Sequence, residues 1–64
     1  MDPKAIIEEL TAAGVSQVQI AEAIGMAQSG VSRLQSGERT RISYEVGVKL
    51  AALRRRVARK ARQQ

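Results

Sequence analysis

The segment 16–37 constrains the fold most, because it holds two short apolar stripes at helical spacing on either side of a tight turn. Gly25 follows the first stripe, at the place where a helix ends cheaply in a left-handed residue. The stripes consist of Ile20, Ala21, Ile24, Val31 and Leu34. Two short helices joined by about three residues form a helix-turn-helix, and this spacing predicts one here.

Helix-start and helix-stop residues divide the whole chain into helices. Asp2 is a good N-cap, and Pro3 suits the first helical position. Ser16 and Gln19 have the spacing of a capping box, and Ser43 caps a further helix that begins at Tyr44. The stop residues are Gly14, Gly25 and Gly37. The sequence therefore predicts an all-α fold, a compact bundle of four or five short helices with the helix-turn-helix at helices 2 and 3.

Charge is distributed very unevenly along the chain. Residues 1–38 carry a net charge of −3 and residues 39–64 carry +8, which gives the total of +5. We expect residues 1–57 to form the folded domain and residues 58–64 to form a basic C-terminal tail. That tail either continues the last helix and frays near Lys60 or stays disordered without a polyanion. A basic half of this kind favours a polyanionic partner.

Composition argues against several other classes of protein. The chain has no Cys, no His, no Phe and no Trp. We therefore expect no disulfide, no metal site and no cofactor, and a location in a reducing cytoplasm, which the family resemblance described below implies is that of a bacterial host cell. The sequence shows neither a nucleophile–base pair nor a phosphate-binding loop, so we expect that the protein is not an enzyme. No apolar run approaches the ~20 residues of a membrane span.

The second helix of the helix-turn-helix carries the candidate recognition residues on its polar side. Gln pairs in a bidentate way with the edge of adenine, and Arg with that of guanine, in the major groove that such a helix enters. The four residues are Gln28, Ser29, Ser32 and Arg33. Gly30 between them permits either a close approach to DNA or tight packing on helix 2. A helical hairpin with a merely polar surface is the plainer alternative for the whole segment.

Residues 16–37 resemble the lambda-repressor-like DNA-binding domains of phage repressors, Cro proteins and small bacterial regulators. The resemblance is carried by Gln17-x-x-Ile20-Ala21-x-x-Ile24-Gly25, by Gln28-Ser29-x-Val31-Ser32-Arg33-Leu34 and by Ser36-Gly37. It implies base contacts by Gln28, Ser29 and Arg33. It implies phosphate contacts by Gln17 at the start of helix 2 and, after Gly37, by Arg39, Thr40 and Arg41. Ala27 departs from the family pattern, because Ser or Thr is frequent at this N-cap.

The fourth helix carries two apolar stripes, and we expect one of them to face a second subunit. Tyr44, Val48 and Ala51 form the first stripe. The second consists of Val46, Leu50, Leu53 and Val57, and these four residues are the predicted dimer interface. In the alternative, a wide apolar face simply wraps the helix-turn-helix.

Together these features predict sequence-specific binding of double-stranded DNA by a homodimer. The expected activity is that of a Cro-like phage repressor that acts by occluding its operator. Two alternatives stay open: a non-specific nucleic-acid binder driven by the arginine-rich end, and an antitoxin-like protein-interaction module.

Overall fold

Four helices account for the regular structure of residues 2–62, the part of the chain that the computed structural model describes. They are α1 (Pro3–Ala12), α2 (Gln17–Ile24), α3 (Gln28–Ser36) and α4 (Tyr44–Arg62). The predicted all-α fold, with a helix-turn-helix at α2 and α3, is confirmed. No helix in this part of the chain is both long and apolar enough to cross a membrane.

Side-chain caps begin three of the helices at the positions that the sequence predicts. The Asp2 carboxylate accepts a hydrogen bond from the backbone N–H of Lys4 at 3.2 Å. Ser16 and Gln19 form the full capping box, with reciprocal bonds of 3.1 and 3.0 Å. The Ser43 hydroxyl accepts from the backbone N–H of Val46 at 3.2 Å and so caps α4. Because these bonds satisfy amides that a helix start leaves unpaired, they fix where each helix begins.

The turn between α2 and α3 depends on Gly25. Its φ of +72° lies in the left-handed region, which costs other L-residues about 1–2 kcal/mol. The next backbone N–H, that of Met26, donates to the carbonyl of Ala21 at 3.0 Å and closes the end of α2. This closure sets the direction in which the chain enters α3.

The core lies where α1 and α2 meet α3 on one side and α4 on the other. Its buried members are Ile6, Ile7, Leu10, Ile20, Ala21, Ile24, Val31, Leu34, Leu50 and Leu53. Ile42, in the connection between α3 and α4, is half-buried against this cluster. An ion pair of 2.6 Å between Arg54 Nε and Glu9 Oε2 ties α4 to α1 at the surface.

The stripe of α4 that we predicted to face a second subunit lies in the core of the monomer. Leu50 is 0% exposed and Leu53 is 8% exposed, and Val46 and Val57 pack against the same core. Tyr44, by contrast, is 89% exposed and Val48 is 50% exposed. The stripe that we expected to face a second subunit therefore closes the monomer core, because it is the stripe that α1 and α2 cover.

Helix α4 continues without a break across the predicted boundary between residues 57 and 58 and reaches Arg62. Of the two predicted states of the basic end, the structure has the helical one over 58–62. The last two residues of the predicted tail, 63 and 64, lie outside the described residues.

Candidate nucleic-acid interface

The polar side of α3 faces solvent as one continuous surface, which we call the reading face: Gln28, Ser29, Ser32 and Arg33, all exposed. At 3.6 residues per turn these four positions lie within an arc of about 140°. The buried positions of the same helix, Gly30, Val31 and Leu34, are centred on the opposite side. The helix thus presents a polar surface to a partner while its other side is anchored in the core.

The reading face has no intramolecular partner among residues 2–60, whose side chains the structure describes. Within that range its side chains form no hydrogen bond or ion pair that would compete with an external ligand. Ala27 at the N-cap of α3 offers no side-chain bond either, as its sequence predicts. The backbone N–H of Gly30 donates to the carbonyl of Ala27 at 3.0 Å, so the amides of Gln28 and Ser29, at the positive end of the helix dipole, are the ones left without a side-chain cap.

The chain that follows α3 folds back toward the reading face. The backbone N–H of Arg39 donates to the carbonyl of Arg33 at 3.1 Å, which holds the two residues close together. Both guanidinium-bearing side chains line one groove with Ser29 and Ser43. Two cations at the rim of the reading face, without carboxylate partners in the described chain, form an electrostatic surface for a polyanion.

Gly30 is explained by packing. A Cβ built on it would come 2.7 Å from Cε of Met26 and 3.8 Å from Nη1 of Arg39. The missing side chain leaves room for the tip of Met26, which is half-buried in the turn and packs on the core. Of the two readings of Gly30 from the sequence, the structure supports tight packing beside α2, here with the residue that follows α2.

Gln17 occupies the start of α2 and reaches toward α3. Its amide Nε2 donates to Oε1 of Gln35 at 2.6 Å in a partly buried bond. This bond joins the first residue of α2 to the last turn of α3, beside the reading face. Gln17 Nε2 retains a second N–H for an external acceptor. The sequence did not identify Gln35, because a contact between residues 18 positions apart has no local pattern.

The remaining predicted phosphate contacts, Thr40 and Arg41, lie exposed in the connection between α3 and α4. They directly follow Arg39 in the chain after the end of α3. The predicted interface residues of α4 do not join this surface, since they are in or against the core. Only Val46, at the first turn of α4, borders the groove beside Arg33.

A comparison with protein families gives one match that bears on this geometry. A family model described as helix-turn-helix matches residues 6–53, three quarters of the chain. The match begins in α1 and ends in α4, and it includes α2, α3 and the turn between them. Neither the curated proteins nor the solved structures contain a match.

Proposed function

Because this chain belongs to the lambda-repressor-like helix-turn-helix family of DNA-binding transcription regulators, we propose that it binds a specific duplex DNA site through α3 and represses transcription there. The observation that carries the proposal is the reading face. It is an exposed helix surface whose Gln and Arg side chains can form paired hydrogen bonds and whose Ser side chains carry hydroxyls, and these side chains have no hydrogen-bond or ion-pair partner in the described chain.

The proposed binding mode places α3 in the major groove with its N-terminal turn toward the bases. Gln28, at the first position of α3, would pair with N6 and N7 of an adenine. Arg33, five residues later, would pair with O6 and N7 of a guanine. Ser29 and Ser32 lie between them in the same arc and supply hydroxyls to either bases or backbone.

Phosphate contacts would hold α3 in register from both sides. On one side, Gln17 is hydrogen-bonded to Gln35 in the last turn of α3. On the other side, Arg39 lies in the groove beside Arg33. Thr40 and Arg41 extend this second side along the chain. Contacts of this class position the protein but do not distinguish sequences, so they should add affinity and salt dependence equally for every duplex.

Repression would follow from occupancy alone, in the manner of Cro, since a bound dimer covers the site that polymerase needs. In the proposed homodimer two copies of α3 enter successive major grooves one helical turn apart. Of the two stripes on α4, only that of Tyr44 and Val48 is exposed. This stripe adjoins the groove of the reading face through Ile42 and Ser43, which border both surfaces. We therefore place the contact between subunits there and not at Leu50 and Leu53.

Selection of bound sequences from a random duplex pool tests the proposal. We expect enrichment of a site with two related halves, bound about 10³-fold or more tightly than a scrambled duplex at equal salt. Titrations at several salt concentrations separate the two contributions to binding, because phosphate contacts follow salt while base contacts persist. A pool that stays random, with binding that depends on salt alone, would contradict the proposal and favour a non-specific binder.

A further inference from the structure

The C-terminal half of α4 carries a second charged surface, which we call the cationic face: Arg55, Arg56, Arg59 and Lys60, all exposed. The other two cations of α4 with described side chains have carboxylate partners. Lys49 Nζ lies 3.1 Å from Oε1 of Glu45, and Arg54 Nε lies 2.6 Å from Oε2 of Glu9. The four residues of the cationic face have no such partner in the described chain.

The cationic face is costly for an isolated helix. Arg55 with Arg59, and Arg56 with Lys60, are like-charge pairs at i and i+4, and each such pair destabilises a helix. At 3.6 residues per turn all four lie within an arc of about 140°, which runs from Arg55, near the exposed Val48, to Lys60, beside the buried Leu53. A polyanion bound along this arc would convert the repulsion into attraction.

The density of these charges along the helix axis is comparable to that of duplex DNA when both strands are counted. Four cations over five residue steps span about 7.5 Å of helix axis at 1.5 Å per residue. Duplex DNA carries one negative charge per about 1.7 Å of its axis, or roughly four charges over the same length. Residues 55–60 include no exposed large hydrophobic side chain. In the described chain such side chains are Val18, Tyr44 and Val48. Charge, without an apolar anchor, is typical of contact with a phosphate backbone and not with a protein.

The cationic face and the reading face lie on different sides of α2. Gln17 faces α3, to which it is bonded through Gln35. Gln19 and Glu22 instead line a groove with Arg56 and Lys60 of α4. Gln17 and Gln19 point about 160° apart around the axis of α2, so α3 and the C-terminal half of α4 lie on nearly opposite sides of α2. One straight duplex in contact with α3 would therefore leave the cationic face free.

We propose that the cationic face binds the phosphate backbone of a second duplex segment, independently of sequence, while α3 holds the first. The part that concerns α3 rests on the proposed function, but the second site does not, because its charges and its position are independent of what α3 reads. The protein would thereby join two DNA segments, in the same or in different molecules.

A capture experiment with the full chain tests this proposal. Beads carry one duplex, the protein is bound to saturation, and a labelled duplex of unrelated sequence is added. We expect the parent protein to retain the labelled duplex. The variant Arg56→Gln/Arg59→Gln, which leaves Arg55 beside the proposed subunit contact unchanged, should retain much less, with a slope of log affinity against log salt reduced by about 1.8, or 0.9 per lost contact. The Lys49→Gln/Arg54→Gln variant removes the same charge from the same helix and should capture like the parent.

Three controls make the result decisive. Far-UV circular dichroism before and after binding shows whether each variant is folded, and Gln at these exposed positions relieves repulsion without touching the core. Glu22→Gln removes a carboxylate beside Arg56 and Lys60 and should strengthen capture. The amount of protein bound to the bead-bound duplex is measured separately from capture of the labelled duplex. Loss of sequence preference at α3 would change the first quantity, whereas loss of the second site would change only the second.

Two outcomes would overturn the proposal. Equal capture by the parent and by a variant with Gln at all four cationic positions would assign the second duplex to another surface, such as α3 of a second subunit. Equal loss in the Lys49→Gln/Arg54→Gln variant would show that total charge matters and the cationic face does not.

Discussion

Replacing Leu50 by Ala should destabilise the protein severely, while Val48→Ala, two residues away on the same helix, should not. Leu50 is 0% exposed and lies in the core with residues of the other three helices, whereas Val48 is 50% exposed. The comparison tests which stripe of α4 builds the monomer.

The expected magnitudes follow from burial. Leu50→Ala removes three buried carbon atoms, or about 2.4 kcal/mol at 0.8 per carbon, and the cavity left behind extends the range to about 2–5 kcal/mol. A domain of 64 residues has a free energy of unfolding of about 3–10 kcal/mol, so the variant should be near the limit of folding. Val48→Ala removes two carbon atoms that are only about half-buried, and Ala has the higher helix propensity. The two effects oppose each other, so the free energy of unfolding should change by no more than about 0.5 kcal/mol.

Urea denaturation followed by far-UV circular dichroism measures both changes as shifts in midpoint at constant slope. Sedimentation of each variant shows whether any loss of stability reflects dissociation. Equal destabilisation by the two substitutions, or a larger effect of Val48→Ala, would refute the assignment of the Leu50 stripe to the core.

Three further predictions concern the turn, the subunit contact and the cap of α2. Gly25→Ala should lower the free energy of unfolding by about 1–2 kcal/mol in urea denaturation, because φ at this position is +72°. A steric clash would not be the cause, since the nearest atom to the added Cβ, Nζ of Lys49, is 3.6 Å away. An unchanged denaturation midpoint would contradict a left-handed turn. Val48→Lys should abolish self-association on a duplex with two half-sites in sedimentation while the thermal midpoint stays within a few degrees; dimers that persist would place the contact elsewhere. Ser16→Ala should lower stability by about 1 kcal/mol in thermal unfolding, and Ser16→Asn, which can also cap, should restore most of it.

The helices themselves could be predicted because their boundaries depend on local chemistry. The Ser16–Gln19 capping box and the left-handed Gly25 act within a few residues, and each is visible as a short pattern. The polar positions of α3 could be assigned for the same reason, because burial of Val31 and Leu34 fixes which side remains exposed.

The roles of the two stripes on α4 could not be read from periodicity, because both stripes repeat at helical spacing. A signal was nevertheless present. The stripe of Tyr44 and Val48 continues into Arg55, while that of Leu50 and Leu53 stays apolar up to Val57. The Gln17–Gln35 bond had no such signal, since it depends on how α2 and α3 pack in three dimensions.

Base reading by α3 can be measured by combining substitutions in the protein with base-pair substitutions in the selected site. Gln28→Ala and Arg33→Ala should each cost about 1–3 kcal/mol on the preferred duplex, and each should become indifferent to the base pair at one position. Arg41→Ala serves as the control and should weaken binding equally on all duplexes, with a smaller salt slope. If both reading-face variants keep the parent's preference at every base pair, α3 does not read the sequence and the account is wrong.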